Sequence, residues 1–131
     1  MANELILIVE DNEKNRKLER DVLKFHGYRI AEAETAEEGL RLAVESPPAL
    51  VLMDIQLPGM NGIEALGRLR ADPRTRSIPV IAVTASAMNQ DRQKIMSAGF
   101  DGYQSKPINV KEFVAAVRQM LDGPKGGGGK T

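Results

Sequence analysis

The stretch LVLMDIQLPGMNG, Leu50 to Gly62, decides how this chain is read. Four apolar residues run straight into Asp54, and a turn rich in Pro, Gly and Asn follows. A short, continuous apolar run closed by turn residues fits a strand covered on both faces in a parallel sheet. Such a strand has no packing use for a terminal carboxylate. Asp54 therefore either caps the strand or stands at the lip of a site.

Working outward, LILIV (Leu5 to Val9) and VIAV (Val80 to Val83) repeat the pattern, and YRIAEA (Tyr28 to Ala33) reads as a more exposed strand. GYQS before Lys106 is a weak fifth. Amphipathic stretches lie between them. Leu18, Val22 and Phe25 fall at i, i+4 and i+7, which predicts a helix with these residues as its apolar face and Gly27 as its stop. Thr35 and Glu38 form a T-x-x-E capping box ahead of Leu40, Ala43 and Val44. Ile63, Leu66 and Leu69 line a third helix. Phe113, Val114, Val117, Met120 and Leu121 line the last, with Asn109 as its N-cap. NQDRQKIMSAG is polar and weakly amphipathic, so the least firmly packed helix is expected there.

Strands alternating with helices imply an α/β fold, a doubly wound parallel sheet with helices on both faces. In such sheets ligands bind beyond the carboxyl ends of the strands, where the strand order reverses. The chain of 131 residues suits a single domain over residues 1–122, followed by a flexible Gly-rich tail over 123–131. That tail, GPKGGGGKT, imitates a P-loop, but Pro124 stands where a glycine is required and no helix follows.

Composition narrows the function. Lys plus Arg equals Asp plus Glu at 18 each, which argues against nucleic acid as the partner. The absence of cysteine excludes thiolate chemistry and fits a reducing cytoplasm. The apolar run at the N-terminus is too short for a signal-peptide core or a membrane span.

Glu10 and Asp11 follow the first strand, Asp54 ends the third, Thr84 ends the fourth and Lys106 follows the fifth, so all share one edge of the sheet. Ionised carboxylates held together call for a cation. Oxygen ligands with no His or Cys nearby select Mg²⁺, which shares its coordination with substrate phosphate. Three acids, one divalent cation and the Lys106 ammonium sum to formal neutrality. A phosphoryl group would then be held by metal and Lys106, with Thr84 as hydroxyl donor. An Asp beside Mg²⁺ is a competent nucleophile toward phosphorus, and Asp54 is preferred because the strand places it firmly while Glu10 and Asp11 sit on a looser turn.

VEDN, LMDIQLPGMNG, PVIAVTA and YQSKPI, in this order and spacing, closely resemble the receiver domain of bacterial two-component response regulators, from Leu5 to about Leu121. The resemblance implies a flavodoxin-like sheet of order 2-1-3-4-5 with five helices. It implies that Glu10, Asp11, Asp54 and the backbone carbonyl of Gln56 hold Mg²⁺, with Mn²⁺ able to substitute. It also implies that Asp54 accepts the phosphoryl group, that Thr84 and Lys106 bind it, and that Pro107 follows a cis peptide bond. Tyr103 matches the family's aromatic switch position, whose alternative is an ordinary edge tyrosine with its hydroxyl in water. Gln56 and Ser86 occupy positions that tune hydrolysis, and Ala85 leaves the site open.

The expected partners are a sensor histidine kinase or a histidine phosphotransfer protein and a downstream protein target, with no nucleic acid and no membrane. The chain is expected to be a monomer or weak dimer. It would be a phosphoacceptor switch rather than an enzyme, whose output passes through the face of the fourth helix, fifth strand and fifth helix. His26, the sole histidine, suits a helix C-terminus, so the donor histidine comes from another protein. With no output domain after Leu121, a stand-alone regulator of cell-cycle or chemotaxis type is favoured over a receiver cut from a hybrid kinase. A haloacid-dehalogenase-type phosphatase needs an acid two residues after its nucleophile, where this chain has Gln56. A flavin carrier needs a phosphate loop where this chain has EDNEKN. Gly59, Asn61 and Gly62 read as a tight turn rather than a phosphate loop.

Overall fold

The computed structural model describes residues 3–85 and 89–122. Ser86 and the tail over 123–131 lie outside them. The elements alternate: β1 (Leu5–Val9), α1 (Glu13–Phe25), β2 (Arg29–Ala33), α2 (Ala36–Glu45), β3 (Leu50–Asp54), α3 (Gly62–Ala71), β4 (Val80–Thr84), α4 (Asn89–Ser97), β5 (Gly102–Ser105) and α5 (Val110–Asp122). The strands form one sheet, order β2-β1-β3-β4-β5, with every neighbouring pair parallel. Strand order reverses at β1/β3, the crevice where the acidic residues were expected.

Period-two alternation divides the core. Ile6 and Ile8, Leu50 and Leu52, and Ile81 and Val83 face Leu23 of α1 and Phe113, Val117 and Leu121 of α5. Leu7 and Val9, Val51 and Met53, and Val80 and Ala82 face α2, α3 and Ile95 of α4. β3 and β4 are buried along their whole length, as their unbroken apolar runs require. Each large side chain so removed from water contributes about 1.5–3 kcal/mol.

Local signals set the helix ends. The Asn12 side chain caps α1 by accepting from the Asn15 N–H at 3.0 Å. Thr35 Oγ1 accepts from the Glu38 N–H at 3.1 Å, while the Glu38 carboxylate takes the N–H of Glu34, one residue before the cap. Asn61 caps α3 and Asn109 caps α5. Gly27 has φ +93°, the left-handed stop expected after α1. His26 is the C-cap of that helix, and the Lys106–Pro107 bond is cis.

Two expectations are corrected. The apolar face of α1 is not Leu18, Val22 and Phe25, since Leu18 is 41% exposed and Phe25 86% exposed. The helix turns Glu19 and Leu23 inward, an i, i+4 pair, and leaves Val22 at the edge of the core. Phe25 instead stands edge-on to the His26 ring at 5.3 Å. Tyr28 is the second correction, because it precedes β2 rather than opening it, yet it is buried in the α1/α5 layer.

Candidate functional site

Strand ends build the site. Asp54 closes β3, the central strand, and is 3% exposed. Its Oδ1 accepts the Gln56 N–H at 3.0 Å, which turns the carboxylate back over the loop that follows. Behind that loop, the first residue of α3 comes against the strand. A Cβ on Gly62 would lie 2.9 Å from Ile55 Cα and closer still to the Asp54 carbonyl oxygen, so only glycine fits. The Gly62 N–H also donates to the Ile55 carbonyl at 3.0 Å. The tight-turn reading of this segment holds, but the sequence did not reveal that Gly62 packs against the backbone of Asp54.

Glu10 follows β1 and is 1% exposed. The expectation of a looser turn is therefore corrected for this residue. Its N–H donates to the Ala33 carbonyl at 3.0 Å, prolonging the β1–β2 ladder by one residue. Its Oε2 accepts the Asn12 N–H at 3.1 Å. Arg16 of α1 anchors it further, donating to the Glu10 carbonyl at 2.9 Å and to Glu32 Oε1 at 3.1 Å. Asp11 is exposed beside it.

Lys106 closes the group. Its Nζ lies 2.9 Å from Glu10 Oε1 and 3.3 Å from Asp54 Oδ2. The N–H of Lys106 donates to the Thr84 carbonyl at 2.7 Å, so the β4–β5 ladder fixes where the side chain starts. Burial raises the pKa of Glu10 and the Asp54 charge adds to it, while Lys106 pulls the other way. For Lys106, burial works to lower the pKa, but Glu10 and Asp54 outweigh it and the net shift is upward. The asymmetry has a simple source: the ammonium faces two carboxylates, whereas Glu10 faces one cation and one anion.

Carboxylate oxygens of Glu10, Asp11 and Asp54 lie within 4.8 Å of one another. Three hard oxygen donors with no imidazole or thiolate among them fit Mg²⁺ or a similar ion. Glu10 Oε1 is buried, and its partner is the Lys106 ammonium, so a cation bound at this oxygen would share it with that ammonium or displace it.

Thr84 ends β4 and is buried. Alternation assigns Glu10 and Asp54 to the α1/α5 face and Thr84 to the opposite one, the face against which Tyr103 packs. Tyr103 pairs with Ala82 and Ser105 with Thr84, so Thr84 and Tyr103 are diagonal neighbours on adjacent strands. Every residue singled out at the strand ends thus lies at one edge of the sheet, with Tyr103 one step back from it.

A response regulator receiver domain model matches residues 6–118. The chain belongs to that family. The polar-differentiation response regulator DivK of Brucella ovis is 46% identical over 116 residues, covering 88% of this chain and 94% of that protein. The receiver domain of a sensor histidine kinase from Pseudomonas aeruginosa, solved with magnesium coordinated in its active-site cleft, is similar at TM-score 0.84. It is 32% identical over 92% of this chain and 98% of its own. A CheY-like receiver domain protein from Methanospirillum hungatei reaches TM-score 0.83 and 31% identity, with 92% and 95% covered. The fold order expected from the resemblance is the order observed, and the chain is a receiver of two-component signalling.

Another residue of this receiver's interior escaped the sequence reading. Glu19 is 1% exposed, and its Oε2 has no hydrogen-bond partner. Burial pushes its pKa up to about 8, the charges of Glu10 and Asp54 adding to the rise and Lys106 opposing it. The available signal was its i, i+4 spacing to Leu23, which the more obvious Leu18–Val22–Phe25 series obscured.

Proposed function

We propose that this receiver accepts a phosphoryl group on Asp54 from a phosphohistidine of a sensor kinase or phosphotransfer protein and passes the signal on by protein contact. The observation that carries this reading is the buried Asp54 carboxylate, with the Lys106 ammonium 3.3 Å away and two further carboxylates within 4.8 Å. An Asp54 oxygen attacks phosphorus in line with the P–N bond of the donor. The new O–P bond forms as the P–N pair returns to the imidazole, which takes up a proton. Lys106 leaves its carboxylate partners for a phosphoryl oxygen, and the Thr84 hydroxyl donates to another. Mg²⁺, held by Glu10, Asp11, Asp54 and the Gln56 carbonyl, would neutralise charge on the transferring group.

The readout runs through Thr84 and Tyr103, whose shared face supports a coupled shift: as Thr84 moves toward the phosphoryl group, the ring follows inward and the α4–β5–α5 surface changes. The match to DivK, which covers 94% of that protein, supports a response regulator of the same kind, with a receiver over residues 1–122 working beside its phosphohistidine donor. Among the described residues no helix is long and apolar enough to cross a membrane.

Intact mass after incubation with acetyl phosphate tests this directly. A gain of one phosphoryl group that requires both Mg²⁺ and Asp54 is expected, with none in Asp54→Asn. Labelling that persists in Asp54→Asn, or that ignores Mg²⁺, would sink the reading. Gln56 stands where a phosphatase would place its general acid, so sustained turnover of a phosphomonoester is not expected.

A further inference from the structure

Tyr103 is half-buried on the edge strand β5, part of its ring packed against the α2–α3–α4 side of the core. Over that ring lies the guanidinium of Arg92, its Cζ 5.4 Å from the ring centroid. Arg92 is exposed on α4, and among the described residues no carboxylate comes within ion-pair range of it. Arg16, Arg20, Arg41 and Arg70, by contrast, each reach one. The aromatic face is the contact shown for this guanidinium, and a guanidinium within about 6 Å of a tyrosine centroid is attracted by the ring quadrupole.

The position on α4 adds weight to the contact. Ile95 is the only side chain of α4 buried among its described residues, and Arg92 lies one turn before it on the same side of the helix. Among the contacts of α4, Ile95 thus enters the core and Arg92 lies on the ring. Between Arg92, Tyr103 and Glu112 opens a polar cleft of about 260 Å³, so the guanidinium has room to leave the ring without a clash.

We propose that Arg92 is a positioning residue for Tyr103, a latch whose guanidinium holds the ring in the orientation of the unphosphorylated receiver. An inward turn of the ring must give up this contact, so Arg92 sets how often the switched state is visited before phosphorylation. The switched state is also the one in which Thr84 has moved to the phosphoryl site. A weaker latch therefore presents more of the chain in the form ready to react and raises the rate at which Asp54 is modified. The inference rests on the Thr84–Tyr103 switch stated above.

The chain has two tyrosines and no tryptophan, so tyrosine-labelled protein gives two sets of ring resonances in NMR, with Tyr28 as the internal reference. Arg92→Ala, Arg92→Gln and Arg92→Lys would be compared with the wild type, each with and without acetyl phosphate and Mg²⁺. Arg92 is exposed, so these variants leave the core intact.

Without phosphodonor, Arg92→Ala and Arg92→Gln are expected to move the Tyr103 resonances part of the way to their phosphorylated position. The population should change about two- to five-fold, the factor carried by an exposed cation–ring contact. Arg92→Lys should fall between them and the wild type, Tyr28 should stay in place, and labelling by acetyl phosphate should accelerate by a similar factor. Tyr103 resonances fixed at the resting position in Arg92→Ala, while acetyl phosphate still moves them, would overturn the latch and leave the switch standing. A phosphorylated wild type whose Tyr103 does not move would overturn the switch, and the latch with it.

Discussion

On the α1/α5 side of the sheet, Leu23, Phe113, Val117 and Leu121 lie over the inward residues of β1, β3 and β4, and buried Glu10 and Asp54 end their strands on the same side. At the opposite corner, α4 commits Ile95 to the core among its described residues and rests on β5, a strand of four residues at the sheet edge. The carboxylate proposed to react is therefore anchored on a side of the sheet closely covered by α1 and α5. The surface proposed to change shape is the part with least to lose by moving. A charge event can be converted into a shape change only where the two arrangements differ by little, and a thinly anchored helix meets that condition.

Three outcomes would break or sharpen this contrast. The largest effect belongs to the anchored side. Phe113→Ala empties a fully buried site between α5 and the sheet and should cost about 3–5 kcal/mol in chemical denaturation. Ile95→Ala should cost less, about 2 kcal/mol, and in native-state hydrogen exchange it should speed α4 amides without speeding those of α5. Equal acceleration in both helices would mean that α4 is as firmly joined to the core as α5.

The next effect comes from Glu19. Its folded pKa of about 8 lies above its ordinary value of 4.5, so between those values the folded chain holds a proton that the unfolded chain has released. Raising the pH then favours unfolding through that window, and the slope vanishes above and below it. Denaturation midpoints of the wild type should fall from near pH 5 to near pH 8. Glu19→Gln should flatten most of that fall, with a remainder from Glu10, whose pKa is raised in the same direction. Parallel curves for the two proteins would show that Glu19 finds a partner in solution.

The smallest effect is a control on the exposed face of α1. Lys17 and Asp21 form an i, i+4 pair at 2.7 Å with both side chains at least half exposed. Their double alanine substitution should leave the midpoint of the same denaturation close to that of the wild type. A larger loss would show that the outer face of α1 contributes to the fold.

The sequence was most legible where a local rule acts alone. Unbroken apolar runs marked β1, β3 and β4, and Thr35, Asn109 and Gly27 marked helix ends, because caps and stops depend on a few neighbouring backbone groups. Strand ends in an alternating α/β chain all point to one edge, so Glu10, Asp11, Asp54, Thr84 and Lys106 could be grouped before any coordinates. Rotation about a helix axis was not legible. Leu18 and Phe25 satisfy helical spacing as well as Leu23 does, and only the surface that α1 meets selects which stripe turns inward. The packing of α1 buries Glu19, which the spacing left outside the expected apolar face, and it brings Arg16 to the Glu10 carbonyl.

Order along the chain thus settled the fold class and grouped the candidate site residues at one sheet edge, since both follow from periodicity and connection rules that act within one or two elements. The firmness of Glu10, the need for glycine at position 62, the unpartnered Oε2 of Glu19 and the meeting of Arg92 with Tyr103 came from assembly. Each depends on how separate elements pack within a few ångströms of one another, and that distance is set only when helices close over the sheet.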